Sequence, residues 1–85
     1  MAVVVLPSLL GAQAGGQRRF ELDAATVGQA LRALPVADLI LDDAGDINRY
    51  LNVYVGGTDA RERGGLACPL VDADEVRIVA MISGG

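Results

Sequence analysis

The sequence predicts an α+β domain, a mixed sheet of about four to five strands packed on one main helix. Three observations predict it. Short β-branched or alternating runs occupy residues 2–6, 18–22, 50–55 and 76–82; a helix-start signature spans residues 26–29; and glycines or prolines punctuate the intervals.

Residues 2–6 are short, β-branched and followed by Pro7, which marks a buried strand, with Leu9 and Leu10 read as its extension. Gly11, Gly15 and Gly16 mark a loop, and residues 18–22 alternate polar and apolar as a second strand in a hairpin with the first. Thr26, Val27, Gly28 and Gln29 have the S/T-x-x-E/Q form, in which the Thr hydroxyl caps one free backbone amide and the Gln side chain reaches back to another. Val27, Ala30, Leu31 and Leu34 then recur at helical spacing until Pro35 stops the helix.

An acidic connection with a short helical turn at Leu39, Ile40 and Leu41 leads to the cleanest strand, residues 50–55. There Leu51, Val53 and Val55 fall on one face and Tyr50, Asn52 and Tyr54 on the other. Gly56 and Gly57 turn the chain into a short strand at residues 59–61, and a loop with Gly64, Gly65 and Pro69 follows. Residues 72–75 make a turn into the last strand, 76–82. In this reading Val27, Leu31 and Leu34 pack on Val3, Val5, Leu22, Val53, Val55, Val76 and Ile78. The apolar opening with Ala12, Gln13 and Ala14 has the outline of a cleavable leader, but no basic residue precedes Arg18 and Pro7 interrupts the run, so the strand reading stands.

Composition excludes many functions. Eighty-five residues allow one core, and 52% apolar with 21% charged residues is too apolar for a disordered tail and too interrupted for a membrane span. A net charge of −4 with no basic stripe argues against nucleic acid and points to basic faces on partner proteins. All seven basic residues are arginines, leaving no side-chain amine for isopeptide linkage. With no histidine and one cysteine, zinc sites and Ser-His or Cys-His pairs are excluded, so no catalytic residue and no metal ligand is assigned. Asp38, Asp42, Asp43 and Asp46 lack the spacing of a calcium loop and read as a solvated connector, and Cys68 reads as a small buried hydrophobe.

Residues 49–55, Asp59 to Arg61, Gly64 to Leu66, Pro69 and Leu70, and residues 72–76 together resemble the ubiquitin-like β-grasp sulfur carriers: the molybdopterin synthase small subunit, the thiamine sulfur carrier and the actinobacterial cysteine-biosynthesis carrier. Gly84 and Gly85 stand last, where these carriers end in Gly-Gly. Departures are Ala73 where the family has Gly, Glu62 where an aromatic is frequent and Ala80 where Pro is common. The resemblance implies a β-grasp domain over residues 1–82 and a flexible tail, 83–85.

The implied chemistry belongs to the tail. A terminal carboxylate is ionised at neutral pH and is a poor electrophile until an oxygen becomes a leaving group. The resemblance implies that an E1-like adenylating enzyme activates Gly85 with ATP, that a sulfur donor converts it to a thiocarboxylate, and that a sulfur-accepting biosynthetic enzyme uses it. No cofactor is bound by the carrier itself, and the expected location is cytoplasmic with no membrane association. Gly84 and Gly85, lacking Cβ atoms, suit a narrow channel beside nucleotide phosphates. Alternation in the last strand puts Val79 and Met81 opposite Val76 and Ile78, and with Tyr54 they form the expected partner-binding surface. Two other readings share this sequence: a ubiquitin-like modifier joined to target lysines, and a non-covalent interaction domain.

Overall fold

The last strand of the domain is held at the centre of a five-stranded sheet. The computed structural model describes residues 1–80. In chain order the elements are β1 (Ala2–Val5), α1 (Ser8–Gln13), β2 (Arg19–Leu22), α2 (Val27–Arg32), α3 (Ala37–Ile40), β3 (Leu51–Val55), β4 (Thr58–Asp59) and β5 (Glu75–Ala80), with 3₁₀ turns at Ala60–Arg63 and Gly65–Ala67. The sheet runs β2-β1-β5-β3-β4. β1 and β5 are parallel, while the other neighbours are antiparallel.

Strand pairing places Val4 beside Val76 and Val53 beside Ile78, so one face of the sheet is apolar. Helix α2 covers it, burying Val27, Ala30 and Leu31, and Leu34, Val36, Ile40, Ile47 and Leu70 close the sides. Each of these large aliphatic side chains contributes roughly 1.5–3 kcal/mol on leaving water. Phe20 and Leu22 of the edge strand pack against this core while partly exposed.

The helix start is built as its sequence dictates, with one difference. Thr26 Oγ1 accepts the Gln29 N–H at 3.2 Å, but Gln29 Oε1 accepts from Ala25, one residue before the cap, at 2.9 Å. Thr26 is itself engaged with Pro69 through a β-bridge, and Val27 donates to the Cys68 carbonyl at 3.0 Å. The loop of residues 64–70 is thereby tied to the helix N-terminus. Gly28 permits this approach, since a Cβ there would lie 3.1 Å from the Leu66 carbonyl oxygen. The helix ends at Arg32, before the expected Leu34, because Pro35 disfavours helical backbone in the residue before it. Leu34 remains buried in a final tight turn donating to Leu31.

The structure corrects the reading of three segments. Leu9 and Leu10 belong to α1 rather than to an extended first strand, and Gly11 lies inside that helix beneath the stem of Arg18. The helix buries Leu10 and packs Ala14, four residues on, against the core; that helical spacing competes with the strand reading of a leucine pair. Val3 and Val5 point away from the core, which instead takes Ala2, Val4 and Leu6. An all-apolar strand carries no alternation, so its inward face is decided by register with Val76. Third, the short strand is Thr58–Asp59, and residues 60–63 form a 3₁₀ turn capped by Asp59, whose Oδ1 accepts the Arg61 N–H at 2.9 Å.

Two tight turns complete the sheet. Gly56 and Gly57 have φ values of 58° and 88°, the two left-handed positions that a two-residue hairpin needs, and they set Val55 opposite Thr58. The turn before β5 is closed by Asp74, whose carboxylate accepts the Val71 N–H at 2.9 Å. Within it Ala73 sits at φ 72°, alone among non-glycine residues of the described chain in having a positive φ. A Cβ there costs roughly 1–2 kcal/mol, part of which glycine would recover despite its more flexible unfolded chain. Ala73→Gly is expected to stabilise the domain by about 0.5–1 kcal/mol, raising its Tm by about 2–8 °C in a thermal melt. An unchanged or lowered Tm would show the turn to be unstrained.

Candidate functional site

Among the described residues no helix covers the face of the sheet away from α2, and its side chains alternate with those of the core. On β5, Val76 and Ile78 are buried while Glu75, Arg77 and Val79 are exposed. Cross-strand partners share a face, so three rows follow from the register. Glu21, Val3 and Glu75 form the first row; Arg19, Val5, Arg77, Tyr54 and Asp59 the second; and Val79 stands beside Asn52 in the third.

β5 runs across these rows from Glu75 to Ala80, so Val79 lies at the end from which the chain continues toward Gly84 and Gly85. Val79 is 39% exposed, high for a β-branched residue in a central strand, and Tyr54 is half-buried. The structure thus brings Val79 and Tyr54 onto one uncovered face. Met81, Gly84 and Gly85 lie outside the described residues.

Residues missed from the sequence complete this surface. Val3 and Val5 are half-buried on the same face and contribute apolar area, but nothing in a uniformly apolar strand shows which valines turn outward. Tyr50 precedes β3 and is 59% exposed, its hydroxyl accepting from Arg49 at 2.9 Å and its ring lying 5.0 Å from that guanidinium. Arg61 reaches back from the 3₁₀ turn and donates to Asn52 Oδ1 at 3.2 Å and to the Leu51 carbonyl at 3.0 Å. Since Leu51 pairs with Ala80, this guanidinium braces the strand beside the last described residue of β5.

Other candidate chemistry has structural work. Asp42 Oδ1 accepts the N–H groups of Ala44 and Asp46 at 3.0 and 2.9 Å, which shapes the connector. Cys68 is fully buried in the core with its Sγ 3.6 Å from the Pro69 carbonyl. At the far end of the sheet the Met1 amine donates to Asp72 at 2.6 Å. Their hydrogen bond and charge attraction raise the amine's pKa and lower the carboxyl's, while exposure to solvent leaves the pair screened by water. Among the described residues, no group of three His, Cys, Asp or Glu is placed to hold a metal ion, and no helix is long and apolar enough to cross a membrane.

A mixed sheet grasping one main helix, with an uncovered face leading to the C-terminal residues, defines a ubiquitin-like β-grasp protein. No protein-family model matches the chain. The sulfur carrier protein CysO of Mycobacterium tuberculosis is 30% identical over 96% of each chain. The crystal structure of M. tuberculosis CysO superposes with a TM-score of 0.87 at 28% identity, covering 96% of this chain and 100% of that one. A chain of the Amycolatopsis orientalis BexX/CysO complex matches with a TM-score of 0.86 at 28% identity, covering 100% of both. SAMP1 from Haloferax volcanii, a small archaeal modifier protein, matches at 0.76 and 30% identity over 99% of this chain and 98% of its own. The chain belongs to the CysO family of sulfur carrier proteins. It is a protein co-substrate and not an enzyme.

The face assignment has a direct check. Val79→Asp is expected to cost less than about 1 kcal/mol of stability, as an exposed strand substitution does, whereas Val76→Asp places an unpaired charge in the core and costs more than about 4 kcal/mol. Urea unfolding of the two variants measures both. Equal losses would put Val79 in a buried environment and remove it from the candidate surface.

Proposed function

We propose that the carboxylate of Gly85 is the sulfur-bearing group, activated by an E1-like enzyme and delivered to a sulfur-accepting enzyme of cysteine biosynthesis in the cytoplasm. One carboxylate oxygen attacks the α-phosphate of ATP and pyrophosphate leaves. A hydrosulfide-equivalent donor then attacks the acyl carbon, AMP leaves with the carboxylate oxygen, and a thiocarboxylate remains. The carrier contributes no acid, base or metal to these steps, in keeping with its lack of histidine. ATP is the substrate of the activating enzyme and not a ligand of this chain.

The observation that carries this reading is the family membership, together with the position of Gly84 and Gly85 a few residues beyond the central strand. Support for a protein acceptor comes from the Amycolatopsis CysO, whose structure is a complex with BexX. Cysteine synthesis is preferred to molybdopterin, thiamine or thiosugar synthesis because the matching curated relatives are CysO carriers. Conjugation to target lysines is the second reading, favoured by the likeness to the archaeal modifier. Both begin with the same adenylate and diverge at the nucleophile.

Incubation with the E1-like enzyme of the source organism, ATP and a sulfide donor is expected to replace one oxygen of the carrier by sulfur, read by intact-mass spectrometry. Gly84→Ala and deletion of Gly85 are expected to abolish loading while leaving the melting temperature unchanged, since chain termini in general contribute little to stability. An unchanged mass with every such enzyme of that organism would overturn the carrier mechanism. Recovery of the chain on target lysines with no free thiocarboxylate would favour the modifier.

A further inference from the structure

The open edge of the sheet at β2 is complementary to itself. β2 is an edge strand, paired only with β1. Leu6 donates to the Arg18 carbonyl at 2.7 Å, so in this antiparallel ladder the backbone groups of Arg18, Phe20 and Leu22 face β1 while those of Arg19 and Glu21 face outward. The Arg19 carbonyl does so visibly, since it accepts from the exposed Gln17 side chain at 2.9 Å. Side chains alternate with the same regularity. Arg19 and Glu21 are exposed on the uncovered face of the sheet, and Phe20 lies partly exposed on the core side, beside Val4. A strand edge of this kind is a template for another strand. The opposite edge, β4, is two residues long and offers far less.

We infer that β2 pairs antiparallel with β2 of a second copy of this chain, about a twofold axis at Phe20, joining two five-stranded sheets into one. Charge complementarity selects the occupant. With the axis at Phe20, Arg19 of each copy stands opposite Glu21 of the other, so the outward backbone groups of these two residues and their side chains pair together, twice over. Phe20 meets Phe20 of the second copy on the core side, which closes its exposed flank. Sliding the register by two residues sets Arg19 opposite itself or Glu21 opposite itself, and like charges directly opposite are destabilising. Sliding it by one turns the two apolar faces apart. The same register accounts for the sorting of charge by row on the outer face. The row of Arg77, Val5 and Arg19 runs on into Glu21, Val3 and Glu75 of the second copy, base meeting acid at the seam. In each copy β1 stands between β5 and the seam, so both ladders that hold β5 are unchanged by the contact. A four-residue edge buries little area, which makes the dimer a weak and reversible one.

Analytical ultracentrifugation of the full chain at low and high salt measures the association. A dimer populated at about 0.1–1 mM protein and weakened by salt is expected. Arg19→Glu and Glu21→Arg, each alone, set like charges across the seam and are expected to raise the dissociation constant about tenfold or more. The two together restore both ion pairs in reversed order and are expected to return it to within about threefold of the wild type. Amide hydrogen exchange supplies a measure that needs no variant: the N–H groups of Arg19 and Glu21 are expected to exchange more slowly as protein concentration rises. A wild type that stays monomeric to about 1 mM, a dimer indifferent to the single variants, or a double variant as weak as either single one overturns the inference. Protection of the Arg19 and Glu21 amides only on addition of a different protein also overturns it, and gives the edge to that partner. Loading of Gly85 is read separately by mass, so the carrier mechanism stands or falls apart from this contact.

Discussion

The parallel pairing of β1 with β5 is the contact on which the rest of this molecule depends. It joins the first strand to the last, so it forms only when residues 3–5 and 75–77 meet across most of the chain. Once made, it seats β5 between β1 and β3, both of whose ladders hold it. A strand so placed is paired along both edges. The sequence separation of this contact makes its loop-closure entropy large, and the apolar pairs on the covered face, Val4 with Val76 and Val53 with Ile78, offset it.

The same pairing separates two jobs that a small domain must combine. Alternation along β5 gives Val76 and Ile78 to the core and Arg77 and Val79 to solvent. Stability therefore lies on one side of the sheet, and substitutions on the outer side leave the core filled. Ala73, held at a positive φ in the turn that launches β5, is the one place where this chain accepts backbone strain at that junction. Nothing in the surrounding contacts explains an alanine there.

Charge gives a similar lesson in placement. A net charge of −4 says nothing about where the charges sit. Asp42 in the acidic connector is committed to backbone amides, while Arg19 and Arg77 fall on the outer face by register.

Much of this fold is written locally. The Thr26 cap, the Leu51, Val53 and Val55 alternation, the Gly56 and Gly57 turn and the terminal glycines are each legible because a single residue type satisfies a local backbone or packing demand. The missing His and Lys likewise settle from the sequence alone which side-chain chemistry this protein lacks. Tertiary structure decided what local demand leaves open. The run at residues 2–6 is apolar throughout, so only pairing with Val76 turns Val4 inward and Val5 outward. Leu9 and Leu10 fit a strand as well as a helix until Leu10 and Ala14 find the core together. Arg19 and Arg77 lie 58 positions apart in the sequence, and only the two ladders of β1 bring them to the same row, because a sheet sets neighbours by register and not by sequence distance.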